Sequence, residues 1–263
     1  MFIQVIQGRA TNPPGIRRDL GRWQRQLAAD ADGWLGSTTG ITEDGWSITV
    51  VRFASEAQAR RNSDRPEQRE WWRDASQHLA RVVSHDAPKV HTYRDGGADQ
   101  AGFVQVIQGH SADLERMASL ARDQDEVLAR EAPHILGVTV AEHADRPGDF
   151  TQIVYYTSEQ DARSYDQDPP IEEDEAAQVE RRRLLTNLRS FDLRDPQLLT
   201  PSDAPTYLAM KTRTEPGAGR ITGAGAVMQA VDELALRVAN NDSAPALFRH
   251  DPVRPCRRGS IPR

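Results

Sequence analysis

The side chains best suited to holding a ligand in this sequence are indoles. Trp23, Trp34, Trp46, Trp71 and Trp72 are its five tryptophans, and none follows residue 72. The later chain carries phenols instead, at Tyr155, Tyr156 and Tyr165. Flat rings of this kind can wall a cavity for an aromatic molecule. Packing in a core or an interface is their commoner use, and both readings stay open at this point. His78, His85, His91, His110, His134 and His143 are scattered, with no pair at i, i+4 beside a carboxylate, so no zinc or other metal site is expected. A single cysteine, Cys256, excludes an internal disulfide framework and a cysteine-rich metal site. Lys89 and Lys211 are the only lysines, so nearly all positive charge is guanidinium, which titrates too high to act as a base. No nucleophile with a neighbouring base can be read from spacing.

These groups sit on a duplicated frame. Residues 2–8 read FIQVIQG and residues 103–109 read FVQVIQG, identical at six of seven positions. The same offset carries Ile16 onto Met117, Leu27 onto Leu128 and Leu35-Gly36 onto Leu136-Gly137. Ser55-Glu56 then matches Ser158-Glu159, and Ala59-Arg60 matches Ala162-Arg163, at an offset two residues larger. The slip falls between Gly137 and Phe150, where DRPGD (145–149) reads as a longer turn. An insertion confined to a turn is what a duplicated domain would show.

Each copy parses alike. In the first, Phe2–Gln7 is a strand and Pro14–Ala31 a helix, with Ile16, Leu20, Trp23 and Leu27 on one face. Trp34–Ile41 and Trp46–Phe53 are strands joined by an Asp-Gly turn. A helical region follows, broken near Pro66 and running over Glu67–Val83, and Lys89–Arg94 closes the copy as a strand. The second copy gives Phe103–Gln108, Ala112–Arg130, Ile135–Glu142, Asp149–Tyr156, Ser158–Tyr165 with Ile171–Leu188, and Arg189–Leu193. The order is β-α-β-β-α-β, the ferredoxin-like split unit, in an α+β chain. In FIQVIQ both strand faces are apolar, with Phe2 and Ile6 on one and Ile3 and Val5 on the other. A sheet covered by helices on one side only should show a polar outer face, so a second sheet is expected to cover it.

Bulk properties narrow the class. The chain has 263 residues, 38% of them hydrophobic, 27% charged, with a net charge of -6 and a mean hydropathy of -0.67. No apolar run reaches the ~20 residues of a membrane-spanning helix. The opening MFIQVIQGRA has neither a basic region nor a cleavage site, so no signal peptide is expected and the cytoplasm is the default location. Residues 100–199 hold 20 acidic and 10 basic groups, and no segment is basic enough for a nucleic-acid partner. The domain expectation is 1–97, 101–197 and a C-terminal extension over 200–263. That extension holds seven of the sixteen prolines, reads as largely irregular, and has one candidate helix at 224–240. Its GAGRITGAG piece (217–225) lacks the Gly-Lys-Ser/Thr of a phosphate loop.

Taken with the opening strands, VVRFASEAQARRN (50–62), IVYYTSEQDARSY (153–165) and the broken helix after each resemble the dimeric α/β-barrel superfamily. The best match is its antibiotic biosynthesis monooxygenase domain, over about residues 1–195. The resemblance implies two ferredoxin-like units whose antiparallel sheets pair into a pseudo-dimeric α/β barrel. It implies an oxidation of phenolic, polyketide-like aromatics that needs no cofactor, in which the protein holds the ring, favours its anion and excludes water. By the resemblance, Asn62 would hydrogen-bond on the oxygen side, Trp72 would wall the ring and Arg52 would stabilise the anion; Trp71, Trp23, His78 and Gln4 would line the substrate site. Tyr165 and Tyr155 stand at the places of Asn62 and Arg52 in the second copy, so one working pocket and one degenerate pocket are expected. The rival reading is a non-catalytic binding module of the same fold. A weaker one is haem binding or degradation, using His78, Asn62 and Trp71. Further homo-oligomerisation is left open.

Overall fold

A computed structural model describes residues 1–94, 96–97, 99–123, 125–167 and 175–201. The expected C-terminal extension and its candidate helix lie outside the described residues beyond Pro201.

The first half runs β1 (Phe2–Ala10), α1 (Pro13–Gln26), β2 (Trp34–Ile41), β3 (Trp46–Phe53), α2 (Glu56–Asp64), α3 (Pro66–Ala75), β4 (Leu79–Ala87) and β5 (Lys89–Tyr93). The second runs β6 (Phe103–Ser111), α4 (Leu114–Asp123), α5 (Asp125–Glu131), β7 (Ile135–Glu142), β8 (Asp149–Tyr156), α6 (Glu159–Gln167), α7 (Glu175–Leu184), β9 (Leu185–Arg194) and β10 (Gln197–Leu199). Local chemistry sets several boundaries. Asn12 caps α1 by accepting from the Gly15 N–H at 3.1 Å, and Pro13-Pro14 supply its first turn. Ser55 caps α2, accepting from the Gln58 N–H at 3.3 Å. Pro66 starts α3 and so breaks the helical region in two.

The helix expected over Glu67–Val83 ends at Ala75, and the one expected to reach Leu188 ends at Leu184. The expected strand over Lys89–Arg94 is β5, but β4 stands where the helix was expected to continue, and β9 begins at Leu185 rather than at Arg189. A β-bulge is the reason. β4 pairs with β1 and β9 with β6, and each ladder slips at the same place, between Gln7 and Arg9 and between Gln108 and His110. Arg81 and Asn187 take the extra position with φ of 54° and 56°. One inserted residue turns the two-residue alternation of a strand into the three-residue spacing of Leu79 and Val82, which mimics a helix face.

The strands form two five-stranded antiparallel sheets, ordered β10-β2-β3-β1-β4 and β5-β7-β8-β6-β9. Each half thus lends one edge strand to the other's sheet. β5 follows the first unit in sequence but pairs with β7, while β10 follows the second and pairs with β2.

Two faces per sheet make three cores. Helices cover one face of each sheet, around Ile16, Leu20 and Trp23 in the first half and Met117, Leu128 and Tyr165 in the second. The other faces pack on each other through Ile3, Val5, Ile48 and Val50 against Val104, Ile153 and Leu193. The covered second face expected from FIQVIQ is therefore present, with Ile3 and Val5 at 0% exposure. Each such side chain contributes about 1.5–3 kcal/mol relative to exposure. The approach is close: a Cβ on Gly40 of β2 would lie 2.5 Å from the Leu193 Cβ of β9. Among the described residues no helix is long and apolar enough to cross a membrane.

Candidate functional site

In the first half a cavity of about 360 Å³ lies between sheet and helices. Alternation along β1 and β3 decides what lines it. Gln4 and Ile6 from β1, and Ser47, Thr49, Val51 and Phe53 from β3, face the helices. Ile3, Val5, Ile48 and Val50 face the other sheet.

Four indoles form one connected wall. The Trp23 and Trp34 rings meet edge to face at 4.8 Å, Trp23 and Trp71 at 6.4 Å, and Trp71 and Trp72 at 6.2 Å with a 39° tilt. Two of their N–H groups lock α1 to α3: Trp23 Nε1 donates to Gln68 Oε1 at 2.6 Å, and Trp71 Nε1 donates to the Asp19 carbonyl at 2.8 Å. Trp34, only 5% exposed, has a buried Nε1 with no acceptor among the described residues. An unmet buried donor of this kind costs about 1–3 kcal/mol.

The polar points are few. Asn62 is 6% exposed and lines the cavity. Its Oδ1 accepts from Arg65 at 3.1 Å; because a guanidinium only donates, the amide nitrogen is the end left for a ligand. Arg69, on the cavity side of α3, brings an exposed guanidinium to the lining.

Five of the seven expected site residues converge here: Gln4, Trp23, Asn62, Trp71 and Trp72. Two do not. Arg52 shares its strand face with Ile48 and Val50, and its guanidinium lies 3.4 Å from the Tyr155 hydroxyl in the core between the sheets, packed against Gly97. It is a tie between the halves and cannot reach a ligand in the cavity. His78 stands at the start of α1, its Nδ1 3.2 Å from Asn12 Nδ2 and its Nε2 3.2 Å from Asp19 Oδ2. Both ring nitrogens are engaged outside the lining, so His78 offers the cavity no axial ligand for haem. Trp34, one of the indoles singled out as possible cavity walls, also lines it, whereas sequence reasoning missed Gln68 and Arg69. Gln68 and Arg69 share α3 with Trp71 and Trp72, and that helical spacing was the available signal.

The second half has only a remnant, of about 40 Å³. Pairing registers align the two halves, and bulk explains the difference. Ser47 opposite Gly8 becomes Phe150 opposite Gly109, and Thr49 opposite Ile6 becomes Gln152 opposite Ile107. Leu199 opposite Ser37 becomes Tyr93 opposite Val138. Asn62 becomes Tyr165, 2% exposed. Larger side chains occupy the space that the first half leaves open.

A candidate monooxygenase from Lactobacillus acidophilus has a similar structure, with a TM-score of 0.58 at 14% sequence identity, covering 76% of this chain and 96% of its own. Another from Fusobacterium nucleatum gives 0.60 at 10% identity, covering 76% and 94%. The chain shares with these proteins an α+β fold of ferredoxin-like units with antiparallel sheets. An anthrone oxidase-like protein also shares it, with a TM-score of 0.52 at 12% identity, covering 75% and 92%. At these identities the likeness is one of fold. No protein-family model and no curated protein sequence matches the chain.

Proposed function

We propose that the cavity of the first half binds a flat aromatic molecule bearing a phenol or enol oxygen, and that the protein oxidises it with molecular oxygen, needing no metal or organic cofactor. The observation that carries this reading is the connected indole wall of the cavity. Rings supply flat contact area for an aromatic ligand. Arg69 and the Asn62 amide nitrogen favour the substrate's anion over its neutral form, which lowers the substrate's own pKa. No carboxylate or imidazole is among the described lining residues, so the proton leaves to water at the mouth.

An electron-rich anion held away from water can then reduce oxygen. For a methylene flanked by aromatic rings, as in an anthrone, the balance is CH2 plus O2 giving C=O plus H2O. One oxygen atom enters the substrate, the other leaves as water, and all four electrons come from the substrate. The fold shared with an anthrone oxidase-like protein supports trying this class first.

The lack of a carboxylate or imidazole base among the described lining residues favours a second reading, a binding module that holds such a molecule and does not turn it over. Oxygen consumption with hydroxyanthracene-type phenols separates the two. Saturable uptake supports oxidation, saturable binding with no uptake supports the module, and neither result overturns both.

A further inference from the structure

We propose that His85, His143 and Asp145 bind a divalent first-row transition ion, zinc being the best match, and that the ion clasps the two halves together. The proposal does not depend on the cavity. His85 lies on β4 of the first half, and His143 and Asp145 lie on the turn between β7 and β8 of the second, so the cluster joins the two halves. One potential ligand atom from each lies within 4.8 Å of the others.

The second observation is His143 itself. Its side chain is buried, at 6% exposure for the residue, and Nδ1 has no hydrogen-bond partner among the described residues. Nε2 lies 2.8 Å from Thr151 Oγ1, which also accepts from Gln108 Nε2 at 3.3 Å. A proton on Nε2 shared with Thr151 leaves the lone pair on Nδ1, which is the outer-shell arrangement that orients a metal-binding imidazole.

His85, 5% exposed, sets its Nδ1 3.2 and 3.3 Å from the two Asp145 oxygens. An ion between them would replace the proton that this contact shares. Asp145 is exposed and gives an entry path. Two imidazoles and a carboxylate suit zinc, with a fourth position for water.

The imidazoles now stack at 4.2 Å with 5° between planes. Tetrahedral donors about 2.0–2.1 Å from zinc lie roughly 3.4 Å apart and point in-plane at the ion, so binding must tilt the stack open.

The site belongs to one half-turn of the pseudo-symmetric molecule. The lengthened turn of the second copy supplies His143 and Asp145, whereas the register partner of His85, opposite Val106 rather than Val5, is Phe191. Thr42 stands where His143 does. The insertion that marks the duplication thus coincides with a cluster the fold alone does not require.

Titration of the chelator-stripped full chain with Co2+, followed by displacement with Zn2+, tests this. Visible d–d absorption should saturate at one ion per chain, and Zn2+ should raise the melting temperature. H143Q and D145N should each weaken binding at least ~10-fold, the scale seen when even outer-shell partners of a metal are lost. Asp145 is exposed, so D145N decides the matter if H143Q does not fold. No binding at micromolar ion, or undiminished binding in D145N, overturns the proposal.

Discussion

Arg52 and Arg69 carry the same guanidinium to opposite sides of the first sheet, Arg52 by the parity of its strand and Arg69 from a covering helix. Arg52 follows Ile48 and Val50 into the core between the sheets, where it meets Tyr155; Arg69 comes to the cavity from α3. Arg69→Gln should therefore weaken binding of a phenolic ligand by roughly 10-fold, the worth of about one charge-assisted hydrogen bond, and leave the melting temperature unchanged. Arg52→Gln should do the reverse: a loss of about 1–3 kcal/mol in a denaturant titration, with ligand affinity intact. Equal losses of affinity in both variants would contradict this assignment. The parity of Arg52 was already legible in WSITVVRF, since Ile48, Val50 and Arg52 alternate with Val51 and Phe53. The resemblance of the strand end to a monooxygenase phrase outweighed it. Asn62, Trp71 and Trp72 were legible through the resemblance, which puts an asparagine and a tryptophan near the broken helix, and α2 and α3 bring them to the cavity. The His85–His143 pair was not, because only the packing of the halves brings it together.

At the scale of elements, β4 and β9 show where pattern reading fails and why. Arg81 and Asn187 insert one residue into each strand, so the apolar spacing imitates a helix, and no local signal separates the two. The borrowed strands were harder still. Lys89–Tyr93 reads as the end of the first unit, and only the register with β7 shows that it closes the second sheet. Its Tyr93 fills the second half's cavity and donates to the Ala118 carbonyl at 3.1 Å. Burial pushes that phenol up to about 12 from its ordinary 10. The unfolded chain gives up this proton near pH 10 while the folded chain keeps it, so stability should fall as pH rises from 10 to 12. Phenolate absorbance near 295 nm, followed against pH, should show Tyr93 among the phenols that ionise only with unfolding. In Tyr93→Phe that phase should lose the amplitude of one phenol, with a cost near 1 kcal/mol. A late phase of undiminished amplitude in the variant would show that Tyr93 does not contribute to it.

For the whole molecule, the exchange of β5 and β10 makes the halves interdependent. Residues 1–97 alone would lack β10, strand β5 would have no sheet, and Ile3, Val5, Ile48 and Val50 would face water. That fragment should aggregate or melt without cooperativity; a stable monomer with a sharp transition would show that the exchange is dispensable. The duplication, the α+β class and the mutual cover of the sheets were readable from FIQVIQG and FVQVIQG, because a strand apolar on both faces demands two neighbours. Which half keeps an open cavity also follows from bulk, with Ser47 and Asn62 in one and Phe150 and Tyr165 in the other. This contrast permits the most direct test of the account, a titration of tryptophan fluorescence with a hydroxyanthracene under anaerobic conditions, in the natural chain and in S47F/N62Y. The natural chain should be quenched saturably by one ligand per chain, and the folded double variant should show no saturable quenching. Equal quenching in both would contradict a site within the indole wall.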